Sequence, residues 1–159
     1  MKISQIMTKQ VLILKPTTSL YATIQKFAKK GVSGAPVVSG GGHVVGVVSD
    51  ADITRALDSV TPSVKLTSSK MFSLVFASLR NKKDEDKLRA ELAAAKKVKA
   101  NSFMSKPLVI NQDASIMDAI KEMVKSDINR LPVIDNKNRL VGIIARTDII
   151  KALSKNFCK

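Results

Sequence analysis

The chain is poor in the residues that most often carry covalent or metal chemistry. Among 159 residues there is one cysteine, Cys158, and one histidine, His43. One cysteine cannot close an intrachain disulfide, and a lone histidine with a lone cysteine gives no cluster for zinc. We therefore expect no metal. Tryptophan is absent and aromatic residues make up 4%, so a core must be built from Val, Ile, Leu, Ala and Met. No apolar run approaches the roughly 20 residues that span a bilayer, and the opening MKISQIMTKQ lacks the apolar stretch of a signal peptide. A cytoplasmic chain with no membrane partner is the expectation. Acids are scarce too: 13 Asp and Glu stand against 27 Lys and Arg, a net charge of +14. That excess favours anionic partners, whether nucleotides, nucleic acid or acidic proteins. It is spread along the chain: seven basic against three acidic residues in 1–60, ten against four in 61–103, ten against six in 104–159. Such a distribution describes a basic surface and not a basic tail.

What is present is a duplication. Shifted by 96 positions, the chain aligns with itself: Leu14–Val38 lies over Ile110–Ile134, and His43–Leu57 over Arg139–Leu153. Between residues 34 and 57, eight of 24 positions are identical in the two copies, among them Pro36 with Pro132, Gly46 with Gly142 and Asp52 with Asp148. Met7 aligns with Met104 after a one-residue gap. Fixed spacing of this length identifies a repeat.

Each copy predicts the order β-α-β-β-α. A short apolar run (Val11–Leu14, then Leu108–Ile110) precedes a helix capped by Thr18 or Ser19 in the first copy and by Asp113 or Ser115 in the second. Leu20, Ile24 and Phe27, and again Ile116, Ile120 and Met123, recur at helical spacing. Two β-rich runs follow, joined by SGGG in one copy and DNKN in the other. A second helix starts at SDADITRAL or ARTDIIKAL. The expected fold class is α/β: two such repeats packed as a pseudo-twofold pair, with an inserted helical hairpin between them. The expected boundaries are repeat one at 1–60, insertion at 61–103 and repeat two at 104–159. SSKMFSLVFASLR and DEDKLRAELAAAKKVK form the two expected helices of the insertion, the second with acids in its first turn and lysines in its last.

The glycines Gly40–Gly42 suggest a hairpin tip and not a phosphate loop, since no lysine and hydroxyl follow at the required spacing. His43 starts a strand and has no partner for acid–base work. With no nucleophile–base pair, an enzyme is not expected. Asp52 and Asp148 sit at helix starts, where an aspartate ordinarily serves as a cap.

The motifs M-T, V-S-G-A-P-V and G-V-V-S-x-x-D, followed by M-S-K-P, N-R-L-P-V-I-D and G-I-I-A-x-x-D, resemble two cystathionine β-synthase (CBS) domains in tandem, a Bateman module. The resemblance covers the chain except for about residues 60–100. It implies a non-catalytic regulatory module that requires no cofactor and senses energy or metabolite state. Adenine nucleotides (AMP, ADP or ATP) or S-adenosyl compounds would bind in clefts between the repeats. It also implies a homodimer and leaves room for a regulated protein partner contacting 61–103. An alternative is a nucleic-acid-binding or transcription-linked protein using the basic surface.

Carried over by position, site one comprises Val32, Ser33 and Gly34 with Arg130, Ile143, Thr147 and Asp148. Site two comprises Ile128, Asn129 and Arg130 with Val47, Ser49 and Asp52. The carboxylates would accept the ribose hydroxyls, and Ser49, Thr147 and Arg130 would meet phosphate. The copies differ: Ser49 has Ala145 as its counterpart, Gly34 stands where the second copy has Arg130, and Asp50 would repel a phosphate. Site one is therefore favoured for a charged nucleotide.

Overall fold

A computed structural model describes residues 1–60, 90 and 93–157. The first helix expected in the insertion, half of the second, and Cys158 lie outside the described residues. The chain divides into two compact units. One contains Met1–Ile13, Val38–Val45 and Lys106–Lys159; the other contains Leu14–Val37 and Gly46–Ser105. The lead-in to each repeat thus folds with the other repeat's unit.

In the unit built on the first repeat, α1 spans Leu20–Lys30 and α2 spans Asp50–Val60. Strands β1 (Gly34–Val38) and β2 (Val44–Ser49) pair as a two-stranded sheet. Of the two candidate caps for α1, Ser19 is the cap, its hydroxyl accepting from the Ala22 N–H. Leu20, Thr23 and Phe27 are buried along one face, and Ile24 partly so. A short helix, α3 (Ala100–Phe103), packs on α2. The chain leading into α3 returns past the start of α1, where the Leu20 N–H donates to the Val98 carbonyl at 2.8 Å. Ala35, Val37, Val48, Ile53, Ala56 and Leu57 are buried.

The unit built on the second repeat holds β3 (Ile110–Asn111), α4 (Ile116–Lys125), β4 (Arg130–Ile134), β5 (Leu140–Ala145) and α5 (Arg146–Phe157). Its sheet runs β3-β4-β5, β3 parallel to β4 and β4 antiparallel to β5. Ile3, Ile116, Ala119, Met123, Leu131, Val133, Ile144, Ile149 and Ala152 form its core. Each large side chain so buried contributes about 1.5–3 kcal/mol. Ser115, not Asp113, caps α4, and it does so reciprocally: its hydroxyl accepts from the Asp118 N–H while Asp118 accepts from the Ser115 N–H at 3.0 Å.

The duplication extends to the backbone. Left-handed conformations fall at Gly31 and Gly42 in one copy and at the matching Asp127 and Asn138 in the other. Glycine takes φ > 0 without strain, and Asp and Asn are the side chains that tolerate it best. One departure is at the first strand. In the second copy the Gln112 N–H continues the ladder to the Ile134 carbonyl. In the first copy the position is Pro16, which has no N–H, and the strand reduces to a single bridge, Leu14 with Val37.

Candidate functional site

Both aspartates at the helix starts occupy the third helical position and reach back to the backbone N–H that precedes the helix. The Ser49 N–H donates to Asp52 Oδ2 at 2.7 Å, and the Ala145 N–H donates to Asp148 Oδ2 at 2.9 Å. The capping role expected of an aspartate here is therefore present in both copies. Beyond that shared bond the two carboxylates differ.

Asp52 is 2% exposed and fully engaged. Its Oδ2 also accepts the Ser49 hydroxyl at 2.7 Å, while Oδ1 accepts the Ser105 hydroxyl at 2.6 Å and the Arg55 guanidinium. Ser105 is brought there by a two-way backbone bridge with Val47, at 3.1 and 2.9 Å. A charge so buried is stable only because its acceptor positions are filled.

Asp148 is half-buried, and the Ala145 N–H is its hydrogen-bond partner among the described residues. The copy has no hydroxyl at Ala145, and Lys151 stands where Arg55 stands in the first. Thr8 forms the backbone bridge to Ile143 that Ser105 forms to Val47, at 2.9 Å in both directions, and its side chain is exposed. Asp148 lines a cavity of about 430 Å³ with Met1, Gln5, Ile6, Lys151, Ala152 and Lys155.

The remaining expected site residues are placed as follows. Val32, Ser33 and Gly34 enter β1, and the Ser33 carbonyl receives the Asp50 N–H at 3.1 Å. Val47 and Ser49 end β2 beside them. In the other unit Ile128, Asn129 and Arg130 enter β4, and the Asn129 carbonyl receives the Arg146 N–H at 3.0 Å. Arg130 stands opposite Ala145 in the ladder, so Arg130, Ile143, Thr147 and Asp148 share one end of the three-stranded sheet. Thr147 is exposed on the first turn of α5. Each unit thus gathers one of the two expected pre-strand segments and one aspartate. The residues expected for site one divide between the units, with Val32, Ser33 and Gly34 in the first-repeat unit and the other four in the second. Those of site two divide the opposite way. Ser105, Arg55, Lys151 and Lys155 were not anticipated. Helical spacing from each aspartate could have found the last three, and the match of M-S with M-T could have found Ser105.

Gly46 and Gly142 are explained by the lead-in segments. A Cβ at Gly142 would lie 2.6 Å from the Met7 sulfur and 3.0 Å from the Thr8 carbonyl oxygen, and one at Gly46 would collide with the Met104 side chain. The matched glycines and matched methionines are thus one packing feature used twice.

Among the described residues no group of three or more His, Cys, Asp and Glu could hold a metal ion, and no helix is long and apolar enough to cross a membrane.

Comparison with known proteins agrees with the duplication. The family model described as CBS domain matches residues 3–59 and 100–155. An uncharacterized protein of Methanocaldococcus jannaschii is 32% identical over 154 residues, covering 96% of this chain and 91% of that protein. Other relatives are longer: the chain spans 40% of a second protein of that organism and 63% of a chloroplastic CBS domain-containing protein of Arabidopsis thaliana. Among solved structures, CBSX2 in complex with AMP matches with a TM-score of 0.69 and 24% identity, over 97% of this chain and 96% of that one. The CBS domain pair of protein MJ0100, in complex with 5′-methylthioadenosine and S-adenosyl-L-methionine, matches with a TM-score of 0.68 and 18% identity, over 98% and 97%. Two family matches in the two halves, on a backbone duplicated down to its left-handed residues, place the chain in the CBS domain family as a tandem pair.

Proposed function

We propose that the chain is a non-catalytic regulatory module that binds an adenosine-containing ligand through its second repeat, with Asp148 as the ribose partner. The observation that carries this reading is the state of that carboxylate. One oxygen is held by the Ala145 N–H, which fixes its direction, and Asp148 forms part of a cavity wall. A fixed acceptor with remaining capacity suits a vicinal diol. Thr147 and Arg130, at the same end of the sheet, add a hydroxyl and a guanidinium to the surroundings of that carboxylate. Two proteins of the same fold, CBSX2 and MJ0100, hold AMP and S-adenosyl-type ligands respectively, which supports an adenosyl ligand as the class. Asp52 is the weaker candidate, because a ligand there would have to displace Ser49, Ser105 or Arg55 from its oxygens.

Regulation requires that the ligand bind one state of the pair better than another. A homodimer is part of the reading. Val124 on α4 and Ile150 on α5 are 74% and 64% exposed, and apolar helical residues so open are suited to a second copy. Light scattering of the wild type and of Ile150→Glu checks that element, a dimer lost in the variant being expected.

The test of ligand class is isothermal titration of adenosine, AMP, ATP and S-adenosylmethionine into wild type, Asp148→Asn and Asp52→Asn. At least one ligand is expected to bind the wild type and to lose about tenfold or more in affinity with Asp148→Asn. Absence of binding by all four ligands, or a larger loss with Asp52→Asn, refutes the reading.

A further inference from the structure

Asp148 does not stand alone on its helix. Lys151, Ala152 and Lys155 follow it at i+3, i+4 and i+7, which places all four on one side of α5. Together they form one wall of the cavity of about 430 Å³, with Met1 and Ile6 among the residues opposite. That volume is in the range of small-molecule sites. Its lining combines one carboxylate, the two lysine ammonium groups, the Gln5 amide and an apolar surface made by Met1, Ile6 and Ala152. Neither lysine is ion-paired to a carboxylate among the described residues, so both charges remain available to a ligand.

The first repeat lacks this combination. The counterpart of Lys151 is Arg55, whose guanidinium is already given to Asp52. The counterpart of Lys155 is Ser59, whose hydroxyl donates to the Ala56 carbonyl at 2.7 Å. The pair of available cations beside an aspartate is therefore a property of the second repeat alone.

We propose that Lys151 and Lys155 form an anion subsite beside Asp148, so that the second repeat selects phosphorylated nucleosides over uncharged or S-adenosyl ligands. The proposal rests on the reading of Asp148 as the ribose partner. With a rise of 1.5 Å per residue, Lys151 lies about 4.5 Å and Lys155 about 10.5 Å along the helix from Asp148. Lys151 therefore meets the phosphoryl group next to the ribose, and Lys155 meets the outer ones. The order of affinity that follows is ATP and ADP above AMP, and AMP above adenosine.

Titration calorimetry with adenosine, AMP, ADP, ATP and S-adenosylmethionine, at low and at moderate salt, tests this on wild type, Lys151→Gln/Lys155→Gln and Asp148→Asn. The double lysine variant should lose about tenfold per lysine toward ADP and ATP, lose most of the salt dependence of binding, and keep its affinity for adenosine. Asp148→Asn should weaken adenosine and the nucleotides alike. If the lysine variant binds ADP and ATP as the wild type does while Asp148→Asn weakens them, the anion subsite is wrong and the ribose reading stands. If S-adenosylmethionine binds the wild type more tightly than every nucleotide, the selectivity is wrong. If the wild type binds no adenosine ligand, the ribose reading fails and the subsite fails with it. Thermal unfolding of the lysine variant, unchanged for two exposed helix positions, separates loss of binding from loss of fold.

Discussion

Asp52 and Asp148 are one position of a duplicated sequence, and the two copies have put it to different use. Asp52 is closed in by two hydroxyls, a backbone N–H and a guanidinium. Asp148 keeps the backbone N–H and opens on a cavity. Three matched positions separate them: Ser49 against Ala145, Arg55 against Lys151, and Ser105 against Thr8. The first removes a hydroxyl outright, while Lys151 and Thr8 keep donor groups that are not bonded to Asp148. A repeated aspartate is thus not a repeated environment; its neighbours decide whether it is closed into the fold or left open on a cavity.

The sharpest way to break this comparison is to remove the two carboxylates in turn and read stability. Asp52→Ala deletes the acceptor for four donors, two of them on the partly buried Ser49, and should cost about 3 kcal/mol. Asp148→Ala deletes one cap-type bond and should cost about 1 kcal/mol. Urea denaturation measures both. Equal losses would show that the closed network around Asp52 contributes no more than a cap. Ligand affinity should rank the same two positions in the opposite order.

The matched glycines sharpen it at a second place. Gly142→Ala brings a methyl against both the Met7 side chain and the Thr8 carbonyl oxygen, whereas the three atoms nearest a methyl at Gly46 all belong to the Met104 side chain. Overpacking of this kind costs about 1–3 kcal/mol. Met104→Ala removes the two closest atoms and should rescue Gly46→Ala as far as the Met104 Cβ, 3.1 Å away, can shift. Met7→Ala should rescue Gly142→Ala only in part, because the Thr8 carbonyl is tied into its bridge with Ile143. Full rescue of both would mean that the carbonyl yields.

A reciprocal exchange comes next in size. Ser49→Ala takes a hydroxyl from Asp52, and Ala145→Ser offers one to Asp148, completing a capping box that α5 lacks. About 1 kcal/mol should be lost in the first and a similar or smaller amount gained in the second, with nucleotide affinity reduced in the second as Asp148 is drawn inward. A gain in stability with no change in affinity would detach the carboxylate's surroundings from binding.

Much of this was legible in the sequence because it is local or periodic. The repeat, the caps of α1 and α4 narrowed to two residues each, the apolar faces of α1 and α4 and the asymmetry at Ser49 and Ala145 all lie within a turn or a strand of the residues that reveal them. The contacts that were not legible join segments far apart. Ser105 reaches Asp52 across 53 positions, and the exchange of lead-in segments between the units follows from a tertiary choice that no window displays. The shortened first strand had a local cause, Pro16, but it shows only once the register fixes which N–H the ladder needs. The lining of the cavity by Lys151 and Lys155 was readable from helical spacing, yet lysines on a helix usually mark a solvated face, and the cavity opposite them belongs to the first residues of the chain.

The smallest expected effect concerns acid, and it too divides the copies. Asp118 is held below the ordinary aspartate value of 3.8 chiefly by the Ser115 hydroxyl, and Asp135 chiefly by the Arg139 backbone N–H. Their counterparts in the first repeat are Ala22 and Ser39, which do not titrate. A carboxyl whose pKa is lower folded than unfolded stabilises the fold above its unfolded value, and that contribution disappears as pH falls through the unfolded and then the folded value. The unit built on the second repeat should therefore lose protection below about pH 4 through these two groups, while the Ser19 cap and the Ser39 turn are indifferent to pH. Asp118→Asn should lower stability at neutral pH and flatten its decline between about pH 4 and pH 2. Amide hydrogen exchange across that range, followed in α4 and α1 separately, measures the difference; the Ala119 amide, which bonds to the Ser115 carbonyl at 3.3 Å, and the matching Thr23 amide, which bonds to the Ser19 carbonyl at 2.9 Å, are the pair to compare. Parallel loss of protection in both helices would mean that the two turns do not carry the acid response.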